Sequence, residues 1–215
     1  MKKYLTELIG TFALVFFGTG AIVVNEFHPG LLGHLGISLV FGLIVMTVIY
    51  SIGDVSGAHI NPAVSFAFFL AKKICLKDTV FYTISQLVGA ALASLLLRSF
   101  FRGSDSLGAT IPTLDPLAAF ILEVIISFYL MFVILHVATG SQEKGLMAGV
   151  AVGGTVLISS LFAGPLTGAS MNPARTFGPA LINLDLKYLW LYFISTYLGM
   201  SLAVISCLLI RNNKC

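Results

Sequence analysis

Two eleven-residue segments of this chain are near copies of each other. Ser56-Gly-Ala-His-Ile-Asn-Pro-Ala-Val-Ser-Phe66 aligns without a gap on Thr167-Gly-Ala-Ser-Met-Asn-Pro-Ala-Arg-Thr-Phe177, each residue 111 positions after its partner, as Phe177 is after Phe66. A second echo precedes each copy: Glu7-Leu-Ile-Gly-Thr-Phe12 and Glu123-Val-Ile-Ile-Ser-Phe128. The chain therefore reads as a doubled unit, with halves at about 1–101 and 115–215 inside a single domain spanning 1–215.

The solvent of this doubled unit is lipid. Of the 215 residues 58% are hydrophobic and only 10% are charged, with a mean hydropathy of +1.00, against about 25% charged residues in soluble domains. Six apolar stretches, at about 5–25, 34–53, 80–101, 117–138, 146–163 and 187–210, each supply the roughly 20 residues that cross a hydrocarbon core. Turn-forming residues separate them at Glu26 to Gly30, Arg102 to Pro116 and Gly140 to Gly145. Two further apolar pieces, about 61–71 and 172–182, are too short to cross and read as re-entrant segments. Each opens with Asn-Pro, and proline suits a first helical position because the N–H it lacks would be unpaired there. The start, Met1-Lys2-Lys3 before an apolar run, has the look of a signal peptide. Glu7 interrupts that run and five more spans follow, so the segment reads as the first helix.

Only the third, fourth and fifth spans separate the two copies. Three crossings is an odd number, so the second half sits upside down relative to the first. The half-helices enter from opposite sides and their Asn-Pro starts meet near the midplane, where inverted-repeat membrane proteins place their substrate. The expected fold is an all-α membrane protein with six transmembrane helices plus two re-entrant half-helices in an inverted repeat. With the amino terminus in the cytosol, Lys2, Lys3, Lys72, Lys73, Lys77, Lys144, Arg211 and Lys214 lie inside, against Arg98, Arg102 and Lys187 outside. That bias obeys the positive-inside rule and places both termini in the cytosol of a multi-pass protein of a plasma or inner membrane. Cys75, Cys207 and Cys215 lack metal-ligand spacing, and no basic cluster is interleaved with aromatics. Neither a metal, nor a cofactor, nor a nucleic-acid partner is expected; the lipid bilayer is the partner the composition calls for.

The chemistry follows from the helix ends. Each half-helix directs roughly half a positive elementary charge at the meeting place, which repels cations, a hydrated proton included. The amides of Asn61 and Asn172 are donors to a passing oxygen atom. Non-helical backbone at this depth is tolerated only where it lines a cavity or is buried in protein. Gly57, Ala58 and His59, with Gly168, Ala169 and Ser170, are therefore candidates to offer a ladder of pore carbonyls on either side of the midplane. A neutral molecule passes such a site and a proton wire breaks there.

The doubled Asn61-Pro62-Ala63 and Asn172-Pro173-Ala174, with Ser-Gly-Ala-His before the first and Arg-Thr-Phe-Gly-Pro after the second, resembles the aquaporin or major intrinsic protein family over essentially the whole chain. The resemblance implies a right-handed six-helix barrel, assembled as a homotetramer with one water channel per subunit. It also implies a selectivity filter near the outer mouth at Phe41, Ser160, Ala169 and Arg175. Water-selective members carry histidine where this chain has Ser160, and the serine implies a wider, still polar opening. Glycerol-type members carry aspartate directly after the pore arginine and a lysine or arginine four residues further on, where this chain has Thr176 and Ala180. The run Gly164-Pro-Leu-Thr-Gly-Ala-Ser-Met-Asn-Pro-Ala-Arg175 is similar to the nodulin-like branch and its bacterial relatives, whose small-residue constrictions admit metalloid hydroxy acids.

Several residues have a bland reading beside a functional one. Arg175 at membrane depth is a functional residue by default, and Val64 in the mirror position shows that the repeat itself needs no arginine. Glu7 and Glu123 could be proton relays. Their matching places point instead to acceptors that support the loose N–H groups of each loop. His59 could be a pH switch, but its counterpart is Ser170, so it reads as a brace. Asp54 reads as a vestibule residue. Gly149 and Gly153 read as a close helix approach within one subunit, and Thr196 stands where the family often has proline. The function expected is a passive channel for water and small uncharged solutes, glycerol-like or metalloid hydroxy acids, that excludes protons and ions. The alternatives are a strictly water-selective channel and, more remotely, an ion-coupled transporter, which would need ionisable ligands at the midplane. No nucleophile-and-base pair or metal constellation suggests an enzyme.

Overall fold

The computed structural model describes residues 1–138 and 146–210. The expected break at Gly140 to Gly145, together with Lys144, Arg211, Lys214 and Cys215, lies outside the described residues. Within them the chain forms α1 (Lys2–Phe27), α2 (Gly33–Ser56), α3 (Pro62–Leu70), α4 (Leu76–Phe100), α5 (Pro116–Ala138), α6 (Ala148–Thr167), α7 (Pro173–Asn183) and α8 (Leu189–Ile210). Six of these are long and apolar enough to span a membrane; α3 and α7, with 9 and 11 residues, are not.

Several boundaries differ from the sequence expectation by about a turn, among them the start of α4 at Leu76 rather than near residue 80, and two helix ends have a clear cause. α2 continues past residue 53 to Ser56, where Gly57 at φ 85° ends it in the left-handed conformation that glycine adopts without penalty. α6 was expected to stop near residue 163 but runs through Pro165 to Thr167. A helical proline withdraws the partner of the carbonyl four residues back, here Leu161. His34 Nε2 lies 2.8 Å from that carbonyl, so the imidazole supplies the missing donor and the helix continues.

Outward faces are apolar, and many polar side chains point inward among an apolar core. Leu5, Ile9, Leu35, Leu39, Leu43, Ile121 and Ile125 are exposed at four-residue spacings, while Glu7, Thr11, Gln86, Glu123 and Ser127 are wholly buried. A surface of that kind is stable only against hydrocarbon.

The two halves pack by the same rules. α1 lies on α4 and α5 on α8, each pair meeting at a glycine. A Cβ on Gly89 of α4 would strike the Leu8 carbonyl and lie 3.1 Å from Phe12 N. One on Gly199 of α8 would strike the Val124 carbonyl and lie 2.9 Å from Phe128 N. These are the segments carrying the Glu7 and Glu123 echoes, so close contact at the glycines holds both glutamates inward. The halves join where α2 crosses α6. A Cβ on Gly42 would sit 2.8 Å from the Gly153 carbonyl, and one on Gly153 2.6 Å from the Gly42 carbonyl. Gly153→Val is expected to force α2 and α6 apart at a cost of about 1–3 kcal/mol, lowering the thermal midpoint in detergent. Gly154→Val, at a position with nothing within 4 Å, should leave the midpoint near the parent's. If both variants melt alike, contact at this crossing does not hold the halves together.

Candidate functional site

Among the described residues, the two loops that precede the half-helices hold the densest backbone strain. Ala58 and Ile60 have φ of 48° and 44°, and their counterparts Ala169 and Met171 have 42° and 51°, in the left-handed region that costs non-glycine residues about 1 kcal/mol or more each. A carboxylate holds each loop. Glu7 accepts from His59 N at 2.9 Å, Ile60 N at 2.6 Å, Ser56 Oγ at 2.7 Å and Gln86 Nε2 at 2.8 Å. Glu123 accepts from Ser170 N at 2.9 Å, Met171 N at 3.1 Å and Thr167 Oγ1 at 2.6 Å. With the N–H groups turned to the carboxylates, the loop carbonyls are left for the side where the cavity runs. Two tyrosines complete the symmetry: Tyr82 donates to the Ser56 carbonyl at 2.8 Å and Tyr192 to the Thr167 carbonyl at 2.5 Å.

Asn61 and Asn172 each do two things. The side-chain oxygen caps its own half-helix, accepting from Ala63 N and Ala174 N at 2.9 Å in each case, as an N-cap asparagine should. The side-chain nitrogen crosses to the other half: Asn61 Nδ2 donates to the Met171 carbonyl at 2.8 Å and Asn172 Nδ2 to the Ile60 carbonyl at 2.9 Å. An amide carries two N–H donors, so each asparagine has one left for a molecule in the cavity. The last carbonyl of each loop is thereby occupied.

A cavity of about 110 Å³ runs through this meeting point, room for a file of several waters at about 10–15 Å³ of such volume each. Ile49, Ile134, Val137 and Ala148 line one end, Gly57 to Asn61 and Ser170 to Asn172 the middle, and Phe41, Ser160, Ala169 and Arg175 the other end. Gly168 is not among the lining residues. Its peptide ends α6, donating to the Gly164 carbonyl at 2.9 Å, and it packs on Thr110. Asp54 is exposed at the end of α2 and does not line the void.

At the far end Arg175 is only 2% exposed. Its Nη1 donates to the Gly108 carbonyl at 2.7 Å and its guanidinium lies 5.2 Å from the centre of the Phe41 ring. Gly108 belongs to the strap between α4 and α5, which Glu26 anchors by accepting from Ser104 Oγ at 2.9 Å and Asp105 N at 3.1 Å. Arg98 donates to the Ser104 carbonyl at 2.7 Å and to the Asn183 side chain. Across the void, Ser160 Oγ donates to the buried Ser38 at 3.1 Å. That leaves the lone pairs of Ser160 as acceptors on the cavity side. Ser38, Gly108, Glu26 and Gln86 were missed from sequence, because no local period marks a residue that acts through another.

The sequence profile described as "Major intrinsic protein" matches residues 1–206. The chain belongs to the major intrinsic protein family. Among its similar relatives are Aquaporin NIP3-1 of Arabidopsis thaliana, 43% identical over all of this chain and 69% of that one, and Nodulin-26 of Glycine max, 40% identical over 93% and 74%. The aquaglyceroporin from Plasmodium falciparum, a solved structure, superposes with a TM-score of 0.86 at 26% identity, covering 96% of this chain and 94% of that one. This major intrinsic protein is a multi-pass membrane channel and has no reaction to catalyse.

Within the channel, His59 is packed rather than free. Its ring stacks on Phe68 at 4.6 Å, meets Tyr82 edge-on at 5.1 Å, and Nδ1 pairs with Ser65 Oγ at 3.1 Å. The mirror position replaces this with hydroxyls: Ser170 Oγ pairs with Thr176 Oγ1 at 2.6 Å, and Thr176 with Thr110 at 2.9 Å.

Proposed function

We propose that this channel conducts water and small uncharged solutes of the glycerol or metalloid hydroxy acid class, driven only by their gradients, and excludes protons and ions. The observation that carries the reading is the make-up of the outer constriction. Phe41 and Arg175 form one side, and two small residues, Ser160 and Ala169, form the other. The arginine and the Ser160 lone pairs bind hydroxyl groups, the ring takes the carbon face of a solute, and the small residues leave room for it. Asn61 and Asn172 receive the molecule at the midplane, where the positive ends of α3 and α7 converge. The carbonyls from Gly57 to His59 and from Ala169 to Ser170 replace its hydration. In this reading Glu7 and Glu123 support the loops and take no part in transport.

The working form is a homotetramer in a plasma or inner membrane with both termini in the cytosol, the orientation favoured by Lys2, Lys3, Lys72, Lys73 and Lys77. A strictly water-selective channel is the alternative that the constriction disfavours. An ion-coupled transporter needs free ionisable ligands at the midplane, and both glutamates there are engaged with loop donors.

Stopped-flow shrinkage and solute-uptake assays on proteoliposomes test the reading, comparing water with glycerol and boric acid. The parent is expected to pass all three. Ser160→His puts a ring into the small-residue wall and should reduce solute flux several-fold more than water flux, about 1 kcal/mol or more of relative barrier. A parent that passes water alone refutes the substrate class. A parent that passes solutes with a ratio unmoved by Ser160→His refutes the place of Ser160 in the filter.

A further inference from the structure

The ring of Phe41 sits where it does because of a residue on another helix. A Cβ built on Gly18 of α1 would lie 2.7 Å from Cδ1 and 2.8 Å from Cζ of Phe41, and closer still to Cε1. Real side-chain atoms sit about 3.5–4 Å apart, so the ring occupies a notch that exists only because position 18 has no side chain. With α1 behind it and the Arg175 guanidinium beside it, the remaining open side of the ring is the void. The inverted half does not repeat this arrangement. The places that correspond to Gly18 and Phe41 are held by Ile134 and Val152, and both line the other end of the void.

We propose that Gly18 is a positioning residue for solute size: by letting the Phe41 ring retract into α1 it sets the width of the outer constriction. The proposal rests on the reading of Phe41, Ser160, Ala169 and Arg175 as the filter. A methyl group at position 18 must displace what it meets, and what it meets is ring, not backbone. Gly89 and Gly199 contrast with it, since a Cβ there strikes main-chain atoms and can only push helices apart. At Gly18 the helices keep their places and the ring swings by about 1 Å to recover normal contact, into the bore. Water passes the narrowed opening, whereas a solute with a carbon skeleton has lost the space its width requires.

The test is Gly18→Ala, with and without Phe41→Ala, reconstituted at matched protein amounts in one lipid mixture, with water and glycerol permeability read by stopped flow. Gly18→Ala alone should lower the glycerol-to-water ratio several-fold. In the Phe41→Ala background, which removes the ring, it should leave the ratio unchanged. The proposal fails if Gly18→Ala leaves the parent ratio intact, or lowers it equally in both backgrounds, since the effect would then come from helix packing. If Gly18→Ala alone does not assemble, adding Phe41→Ala must restore assembly, because the clash is with the ring; a double variant that also fails to assemble overturns the proposal. A parent that passes no glycerol defeats the filter reading instead, and the ring-dependent fall is then sought in water flux itself.

Discussion

Glu123→Leu is expected to yield no folded channel. The carboxylate is wholly buried and serves Ser170 N, Met171 N and Thr167 Oγ1. Leucine leaves all three donors without it, at about 1–3 kcal/mol each, a loss comparable to the whole stability of many proteins. It also releases Ala169 and Met171 from left-handed conformations they have no local reason to hold. Expression followed by size-exclusion chromatography in detergent reads the outcome as loss of the monodisperse peak. Glu123→Gln keeps one acceptor oxygen and should assemble with a lowered midpoint and near-parental water flux. A leucine variant that melts like the parent would show that the carboxylate does not hold the loop. A glutamine variant that folds and conducts nothing would revive the proton-relay reading.

Arg175→Val is expected to separate water conduction from ion exclusion. Valine is what the other half carries at Val64, so the half-helix tolerates it. Among the described residues, the guanidinium is the one fixed charge on the wall near Phe41 and Ser160. A cation passing at about 5 Å meets a repulsion of about 3 kcal/mol at an effective dielectric of 20, so its removal should raise leakage of small cations by about a hundredfold. Water flux should be kept or increased. The helix ends at Asn61 and Asn172 are untouched, so proton rejection should fall less than rejection of other cations. Vesicle assays with a sodium-sensitive dye and a pH dye check both halves of this expectation. Unchanged sodium rejection in folded protein would remove Arg175 from the filter.

What could be read in the sequence was whatever repeats or is long. Apolar runs of membrane length located the six spans, and Asn-Pro located the starts of α3 and α7, because capping and proline chemistry act within a few residues. The matching places of Glu7 and Glu123 pointed to one shared task. Contacts between distant segments left no such trace. That α6 continues past Pro165 depends on His34 of α2, far away in the chain. That Arg175 meets Gly108, that Ser160 leans on Ser38, and that Phe41 lies in the notch at Gly18 are consequences of packing, which no local period encodes. The equivalence of Gly168 to Gly57 is visible in the repeat, and its contact with Thr110 is not.

The crossed bonds of Asn61 and Asn172 also have a meaning in time. When the ribosome has delivered the first half, the acceptor for Asn61 Nδ2, the Met171 carbonyl, does not yet exist, nor does the donor for the Ile60 carbonyl, Asn172 Nδ2. At about 5–20 residues per second, the intervening stretch takes on the order of ten seconds to make. For that interval the nascent first half holds two unmatched polar groups at membrane depth. Its narrow centre is a joint whose two parts are synthesised separately, so the passage through the bilayer is finished only when the later half reaches back and closes it.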